Sequence, residues 1–245
     1  MHWVAIAVIG AAVGYLGGLF GKGGSAIATP LLAAIGVPPI VAVASPLPAT
    51  IPGTLVAYRR YHRLGITDAR VIRWSVAVGI PATVLGAIAT RWIDGAALVK
   101  LTEIMIAGVG LRILLGRDEP EVVNRDDDQR RRIIAVAVAV GFLAGLLANA
   151  GGFLLVPLYL AVLKLPIKTA LACSLAVASV LAVPGTIVHA ALGHIDWTVT
   201  IVFASASIPL SSLGARTALA LSAARLERIY GAGLLTLGVT LLIVT

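Results

Sequence analysis

The densest run of residues able to do chemistry is Gly17-Gly18-Leu19-Phe20-Gly21-Lys22-Gly23-Gly24-Ser25, followed by Pro30. Glycines let a helix unwind within an apolar stretch. The segment after the break then begins with free N–H groups at its positive dipole end. A half-helix start with a lysine beside it suits a small anion. A second turn, Leu146-Leu147-Ala148-Asn149-Ala150-Gly151-Gly152, precedes Pro157 in the same way, with Asn149 as an uncharged donor in place of the lysine. Together they predict one small, asymmetric anion site built from Gly21, Lys22, Gly23, Gly24, Ser25, Asn149, Gly151 and Gly152. The competing reading is that Lys22 ends the first helix and snorkels to the membrane surface. A P-loop is excluded, because Leu16 stands where the Walker pattern needs glycine and Gly23 where it needs Ser or Thr.

A second set of polar residues lies inside apolar stretches: Ser45, Thr50, Thr54, Cys173, Ser174, Ser179 and Thr186. Ser45, Thr54, Ser174 and Thr186 are candidates to line a solute path. The alternative is that each hydroxyl bonds its own helix or a neighbour. Cys173 reads as a small buried packing residue, and His189 and His194 as interfacial. Outside one polar stretch the acids are Asp68, Asp94, Glu103, Asp196 and Glu227, all near segment ends. No carboxylate or histidine is thus expected in the membrane core, and no metal or cofactor. A solute anion would then leave mainly down the membrane potential, gaining about 2.3 kcal/mol per 100 mV.

These residues need elements to position them, and composition says which kind. The 245 residues are 59% hydrophobic and 12% charged, with 26 glycines and 12 prolines. A soluble domain carries about 25% charged residues. The apolar surplus must face lipid, which excludes a soluble globular enzyme and predicts an all-α polytopic membrane protein. The net charge of +8 is not gathered on a basic stripe with aromatics, so nucleic acid is excluded as a partner. The single cysteine rules out an internal disulfide. The apolar run to Phe20 lacks a cleavage signal and reads as a retained first helix.

Apolar segments fall at about 3–20, 26–44, 45–58, 71–90 and 98–115, then at 133–148, 153–163, 168–190, 198–221 and 226–244. Several are shorter than the roughly 20 residues a spanning helix needs. Those near Pro30, Pro38-Pro39 and Pro157 read as broken or re-entrant pieces. The series repeats. Gly14, Gly18, Gly24, Pro30 and Pro39 recur 127 positions later as Gly141, Gly145, Gly151, Pro157 and Pro166. Pro52-Gly53-Thr54 recurs as Pro184-Gly185-Thr186, Asp68 as Asp196, and Pro81 with Leu85-Gly86-Ala87 as Pro209 with Leu213-Gly214-Ala215. The loop Tyr58 to Arg63 is basic, while its counterpart His189 to Trp197 has no Lys or Arg. By the positive-inside rule the two loops lie on opposite faces. That predicts two homologous inverted-topology repeats, at 1–115 and 133–245, with the broken helices at their interface. The intervening 116–132 is a polar cytoplasmic linker with six acids, five arginines and Arg130-Arg131-Arg132 as a membrane anchor.

The Gly-rich turn with Pro30, its echo at Gly151-Gly152 with Pro157, the Gly-His-Ile-Asp-Trp block at 193–197 and Leu-Gly-Ala at 213–215 resemble the sulfite exporter TauE/SafE family along essentially the whole chain. The resemblance implies a multi-pass bacterial inner-membrane permease of two homologous halves. Its solutes would be sulfite, sulfoacetate or related sulfur-containing and organic anions, generally moved outward. The expected partners are a small anionic substrate and the lipid bilayer, with a homodimer also open. The alternatives are a carrier of another small solute, a carboxylate or a cation, and a non-transporting membrane scaffold.

Overall fold

A computed structural model of the chain describes residues 3–21, 25–94, 126–148 and 151–226, with short pieces at 96–98, 100–101, 104, 228–229 and 231–232. The described elements are α1 (Trp3–Leu19), α2 (Ser25–Ala34), α3 (Pro39–Ala44), α4 (Leu47–His62) and α5 (Ala69–Ala89), which ends in a 3₁₀ turn at Thr90–Trp92. They continue with α6 (Asp126–Leu146), α7 (Gly152–Ala161), α8 (Ile167–Ala191) and α9 (Trp197–Ala220). No strand occurs among the described residues.

Among the described residues, four stretches are long and apolar enough to cross a membrane: Pro39–His62, Ala69–Trp92, Ile167–Ala191 and Trp197–Ala220. The chain is a multi-pass membrane protein. Large apolar side chains on the outer helix faces are bare, with Val4 79%, Leu85 63%, Ile187 63% and Ile201 67% exposed, which lipid accommodates and water does not. The helices α2 and α7 are 10 residues each. At 1.5 Å per residue they reach about 15 Å, half of a bilayer core. Both carry proline at the sixth position, Pro30 and Pro157, which leaves a carbonyl four residues earlier without its helical donor.

The apolar segments redivide at one place. The sequence splits 26–44 from 45–58, but the chain turns at Ile35–Pro38 and runs from Pro39 to His62 as one 24-residue span with a kink at Ser45–Pro46. Pro38, Pro39, Pro46 and Pro48 explain both features, since each lacks a helical N–H. The polar stretch is also partly helical, because α6 begins at Asp126.

Helix pairing is set by backbone contact at small residues. A Cβ added at Gly10, Gly14 or Gly18 of α1 would strike the backbone of Phe203, Ser207 or Ser211 of α9. One added at Gly141 or Gly145 of α6 would strike Gly79 or Thr83 of α5. Gly214 meets Tyr15 and Gly86 meets Phe142 in the same manner. Each pairing advances in the same sense along both chains, so α1 lies parallel to α9 and α5 parallel to α6. Ser45 beside Asp196 and Gly53 beside Ser211 set α4 parallel to α9. Asp68 beside Cys173 and Gly79 beside Leu181 set α5 parallel to α8. Leu47 meets Gly185, and α5 starts, six residues after α4 ends, beside Cys173; α4 and α8 are therefore antiparallel.

These directions gather most of the described basic side chains at one end. Arg59, Arg60 and Arg63 at the close of α4, Arg70 and Arg73 opening α5, Arg130 to Arg132 opening α6, Lys168 opening α8 and Arg216 near the close of α9 share it. There Arg130 stacks on Trp74 at 4.1 Å, and Arg60 donates to Ser212 at 2.8 Å. At the opposite end Asp68's counterpart Asp196 caps α9, accepting from Thr198 and Val199 as Asp68 accepts from Arg70 and Val71 at the basic end.

Two substitutions separate the forces involved. Gly145→Ala meets backbone that cannot yield and is expected to cost about 3 kcal/mol. Gly193→Ala meets nothing within 4 Å but keeps a φ of +70 and is expected to cost about 1 kcal/mol. Thermal unfolding of the purified protein in detergent checks the order.

Candidate functional site

The axis of the molecule is α8, buried on every side from Ala170 to Ala178. Its small side chains let neighbours approach closely, and Ser174 uses that closeness. The Ser174 hydroxyl donates to the Gly21 carbonyl at 2.7 Å and contacts Leu171 O at 2.9 Å. The structure therefore brings Gly21 and Ser174 together, at the point where α1 ends in a left-handed turn with φ +65. Lys22, Gly23, Gly24 and Asn149 lie outside the described residues, as does the side chain of Ser25, whose backbone opens α2. Gly151 caps α7 with φ +71 and Gly152 is its first residue. Both are buried, and Gly151 faces Val140 and Ala144 of α6.

Ser45 sits at the kink between α3 and α4. Its hydroxyl accepts from the Asp196 N–H at 2.9 Å, and its carbonyl accepts from Thr200 Oγ1 at 2.8 Å. The matching contact is made by Cys173, whose sulfur accepts from the Asp68 N–H at 3.4 Å. Ser45 and Cys173 are 128 positions apart, as are Asp68 and Asp196. Ser45 thus corresponds to Cys173 in environment. Cys173 is buried, as expected of a packing residue, and also acts as acceptor for a capped helix start.

Thr54 lines a cavity of about 20 Å³ between α1, α4 and α9, room for about one water. Its walls are Val13, Gly14 and Gly17, then Ala49, Thr50, Gly53 and Thr54, then Phe203, Ser207 and Ser211. Four hydroxyls lie in these walls. Thr54 donates to Thr50 O at 2.8 Å and Ser211 to Gly53 O at 2.9 Å. Sequence reading missed Ser207 and Ser211; their signal is a pair of serines four apart on one helix face, opposite the glycines of α1.

The Pro-Gly-Thr block at 52–54 recurs at 184–186, and Gly185 packs on Thr83 as Gly53 packs on Ser211; one turn earlier on α8 the Leu181 side chain lies against Gly79. Thr186 is placed apart from this cavity, one residue beyond Gly185, which packs on Leu47 and Thr83. The Thr83 and Thr186 hydroxyls are buried and have no hydrogen-bond partner among the described residues. Of the candidates, then, Gly21 joins Ser174, while Ser45, Thr54, Gly151 and Thr186 occupy separate contacts.

His189 corrects an expectation. It is fully buried near the end of α8, where the sequence suggests an interfacial ring. Its Nε2–H donates to the Gly145 carbonyl at 3.1 Å, and its Nδ1 lies 3.1 Å from His194 Nδ1. His194 sits in the following loop, and partial burial holds its pKa below the ordinary imidazole value. No group of three or more potential metal ligands exists among the described residues.

The Ser45–Cys173 equivalence has a measurable consequence. Cys173→Ser keeps an acceptor of the kind Ser45 already supplies and is expected to hold stability within about 0.5 kcal/mol. Cys173→Ala orphans the Asp68 N–H and is expected to cost about 1 kcal/mol. Melting temperatures of the two variants compared with the parent decide the matter.

Comparison with known proteins agrees with this architecture. A "Probable membrane transporter protein" of Xylella fastidiosa strain 9a5c is 30% identical over 232 residues, covering 91% of this chain and 88% of the relative. A probable membrane transporter protein of Methanocaldococcus jannaschii is 28% identical, covering 84% of this chain and 83% of its own. Another, from Bacillus subtilis, is 24% identical, with 91% and 89% covered. No solved structure matches the chain. The family described as "Sulfite exporter TauE/SafE" matches residues 6–241, and the chain belongs to that family.

Proposed function

We propose that this transporter exports a small anion, sulfite, sulfoacetate or a related sulfur-containing or organic anion, across the bacterial inner membrane by alternating access. The reading takes the chain as two inverted-topology repeats, 1–115 and 133–245, joined by the polar linker. Supporting it, α1, α4 and α5 run opposite in sense to α6, α8 and α9, their counterparts in order. The first helix of each set also packs on the last helix of the other. Left-handed backbone recurs in register, at Gly21 and Ala148, Gly36 and Lys164, Gly65 and Gly193. The basic end is then cytoplasmic.

The observation that carries a solute path is the cavity between α1, α4 and α9. Its walls carry four hydroxyls, of which Thr54 and Ser211 now donate to the Thr50 and Gly53 carbonyls and would turn toward an anion that entered. At about 20 Å³ it is closed to any such anion, so passage requires α4 to move against the α1–α9 pair. The glycine contacts make α1 with α9, and α5 with α6, two rigid pairs suited to that movement. Lys22 and Asn149 belong to the same proposal as cation and amide donor at the two breaks.

Purified protein in liposomes, supplied with sulfite, thiosulfate, sulfonates and small carboxylates under an imposed potential, provides the test. Anion flux should follow the potential, and a pH gradient should drive none when the potential is clamped at zero. Lys22→Ala and Lys22→Glu should both lose flux. Gly53→Leu should abolish flux while the protein still elutes as a folded species. Flux of a cation, or undiminished anion flux in Gly53→Leu, would reject this path.

A further inference from the structure

The contacts made around Ser211 recur around Thr83. Gly18 of α1 lies against the Ser211 carbonyl, and Gly145 of α6 lies against the Thr83 carbonyl. One turn earlier, Gly14 meets Ser207 and Gly141 meets Gly79. Gly53 of α4 faces the Ser211 side chain, and Gly185 of α8 faces the Thr83 side chain. The residue after each of these last two glycines is a threonine, Thr54 in one set and Thr186 in the other. Thr83 and Thr186 therefore hold the places of Ser211 and Thr54, among α5, α6 and α8 instead of α1, α4 and α9.

What differs is where the hydroxyl hydrogens go. Ser211 donates to Gly53 O at 2.9 Å and Thr54 to Thr50 O at 2.8 Å. The Thr83 and Thr186 hydroxyls are buried, and neither has a hydrogen-bond partner among the described residues. Thr83 is shut away entirely. A buried hydroxyl without a partner has given up its bonds to water and gained nothing in exchange. A helical threonine has a carbonyl of its own preceding turn within reach, so two unspent hydroxyls on facing helices are donors kept for another group. No Asp or Glu occurs in 39–62, 69–89, 133–148 or 167–191, the helical stretches around them. A cation entering there would meet no counter-charge, whereas an anion accepts the hydrogens that both threonines offer.

The two sets also lie at different depths. The spans of α4 and α9 run toward the basic end, and Thr54 and Ser211 lie past their middles. Those of α5 and α8 run away from it, and Thr83 and Thr186 lie past theirs. One hydroxyl pair thus stands nearer the arginines and the other nearer the opposite face.

We propose that Thr83 and Thr186 form a second anion-binding site on the path, reached from the end opposite the arginines. It rests on the transport reading above and adds a second station to it. Leu47 packs on Gly185 and Leu181 on Gly79, so the space beside the threonines is closed in this conformation. It opens when α8 moves against the α5–α6 pair, as the first opens when α4 moves against α1 and α9. An anion leaving Thr54 and Ser211 then finds donors that bind it without first breaking a hydrogen bond.

The test uses the full chain carrying Cys173→Ser, which leaves no native thiol, in membrane vesicles of either orientation. Single Thr54→Cys, Thr83→Cys and Thr186→Cys variants are treated with two thiol reagents, sulfonatoethyl and trimethylammonioethyl methanethiosulfonate. Thr83→Cys and Thr186→Cys should react from the face opposite the arginines, and Thr54→Cys from the basic face. Relative to its rate with a free thiol, the sulfonate should react about tenfold faster than the cation at each position. Thr83→Val and Thr186→Val keep the side-chain shape and remove an unspent hydroxyl, so each should melt no lower than the parent. Each should nonetheless raise the sulfite concentration for half-maximal efflux about tenfold, the loss of one hydrogen bond to a charged group. Reaction at Thr54→Cys alone would remove this second site and leave the first cavity standing as the path. No reaction at any of the three would sink both. Valine variants that melt below the parent with unchanged half-saturation would mean that the hydroxyls hold a bridging water, which also overturns the proposal.

Discussion

Backbone touching backbone along α1–α9 and α5–α6 is the constraint on which the other arrangements depend. Lipid offers no hydrophobic incentive for helices to associate, because the tails are as apolar as leucine. Association must come from close dispersion contact and interhelical hydrogen bonds. Glycines at 10, 14 and 18, and at 141 and 145, supply the first by removing every side chain between two helices. Once the outer pairs are locked, α4 and α8 are confined to the centre and cross antiparallel. Their small residues, Ala42 to Leu47 and Ala170 to Ala178, are what lets them be covered on all sides.

Near-symmetry makes the departures informative. The capped start of α5 reaches sulfur at Cys173, and that of α9 reaches oxygen at Ser45, so the two elements do the same work with different atoms. At the helix breaks the left-handed position is Gly21 in one place and Ala148 in the other, so the second turn bears strain that the first avoids.

The membrane class was legible from composition, and the short helices α2 and α7 from glycine and proline, whose backbone behaviour is local. Asp68 and Asp196 were readable as segment-end acids for the same reason, and both turned out to be caps. Contacts between distant helices were less legible. Ser207 and Ser211 look like any serines in an apolar helix until the α1 glycines opposite them are known. Cys173 hid its equivalence with Ser45 behind a change of element. His189 was misplaced because a ring beside the end of the 168–190 segment looks interfacial, whereas α6 packs against that end and Gly145 takes the ring's hydrogen. The apolar segments were divided at 44 and 45, but one kinked span runs through that point.

The partner of α1 is α9, which begins 178 residues after α1 has ended. During synthesis α1 therefore enters the bilayer with its glycine stripe bare, and it stays that way while nearly the whole chain is made. By contrast α5 and α6 belong to neighbouring portions of the chain and can meet soon after each is released. Assembly consequently has an order in time: the α5–α6 pair first, the α4–α8 crossing next, and the closure of α1 on α9 last. A ribosome that stops before Trp197 leaves a protein whose first helix has nothing to hold, and the cell's quality control has a simple mark by which to find it.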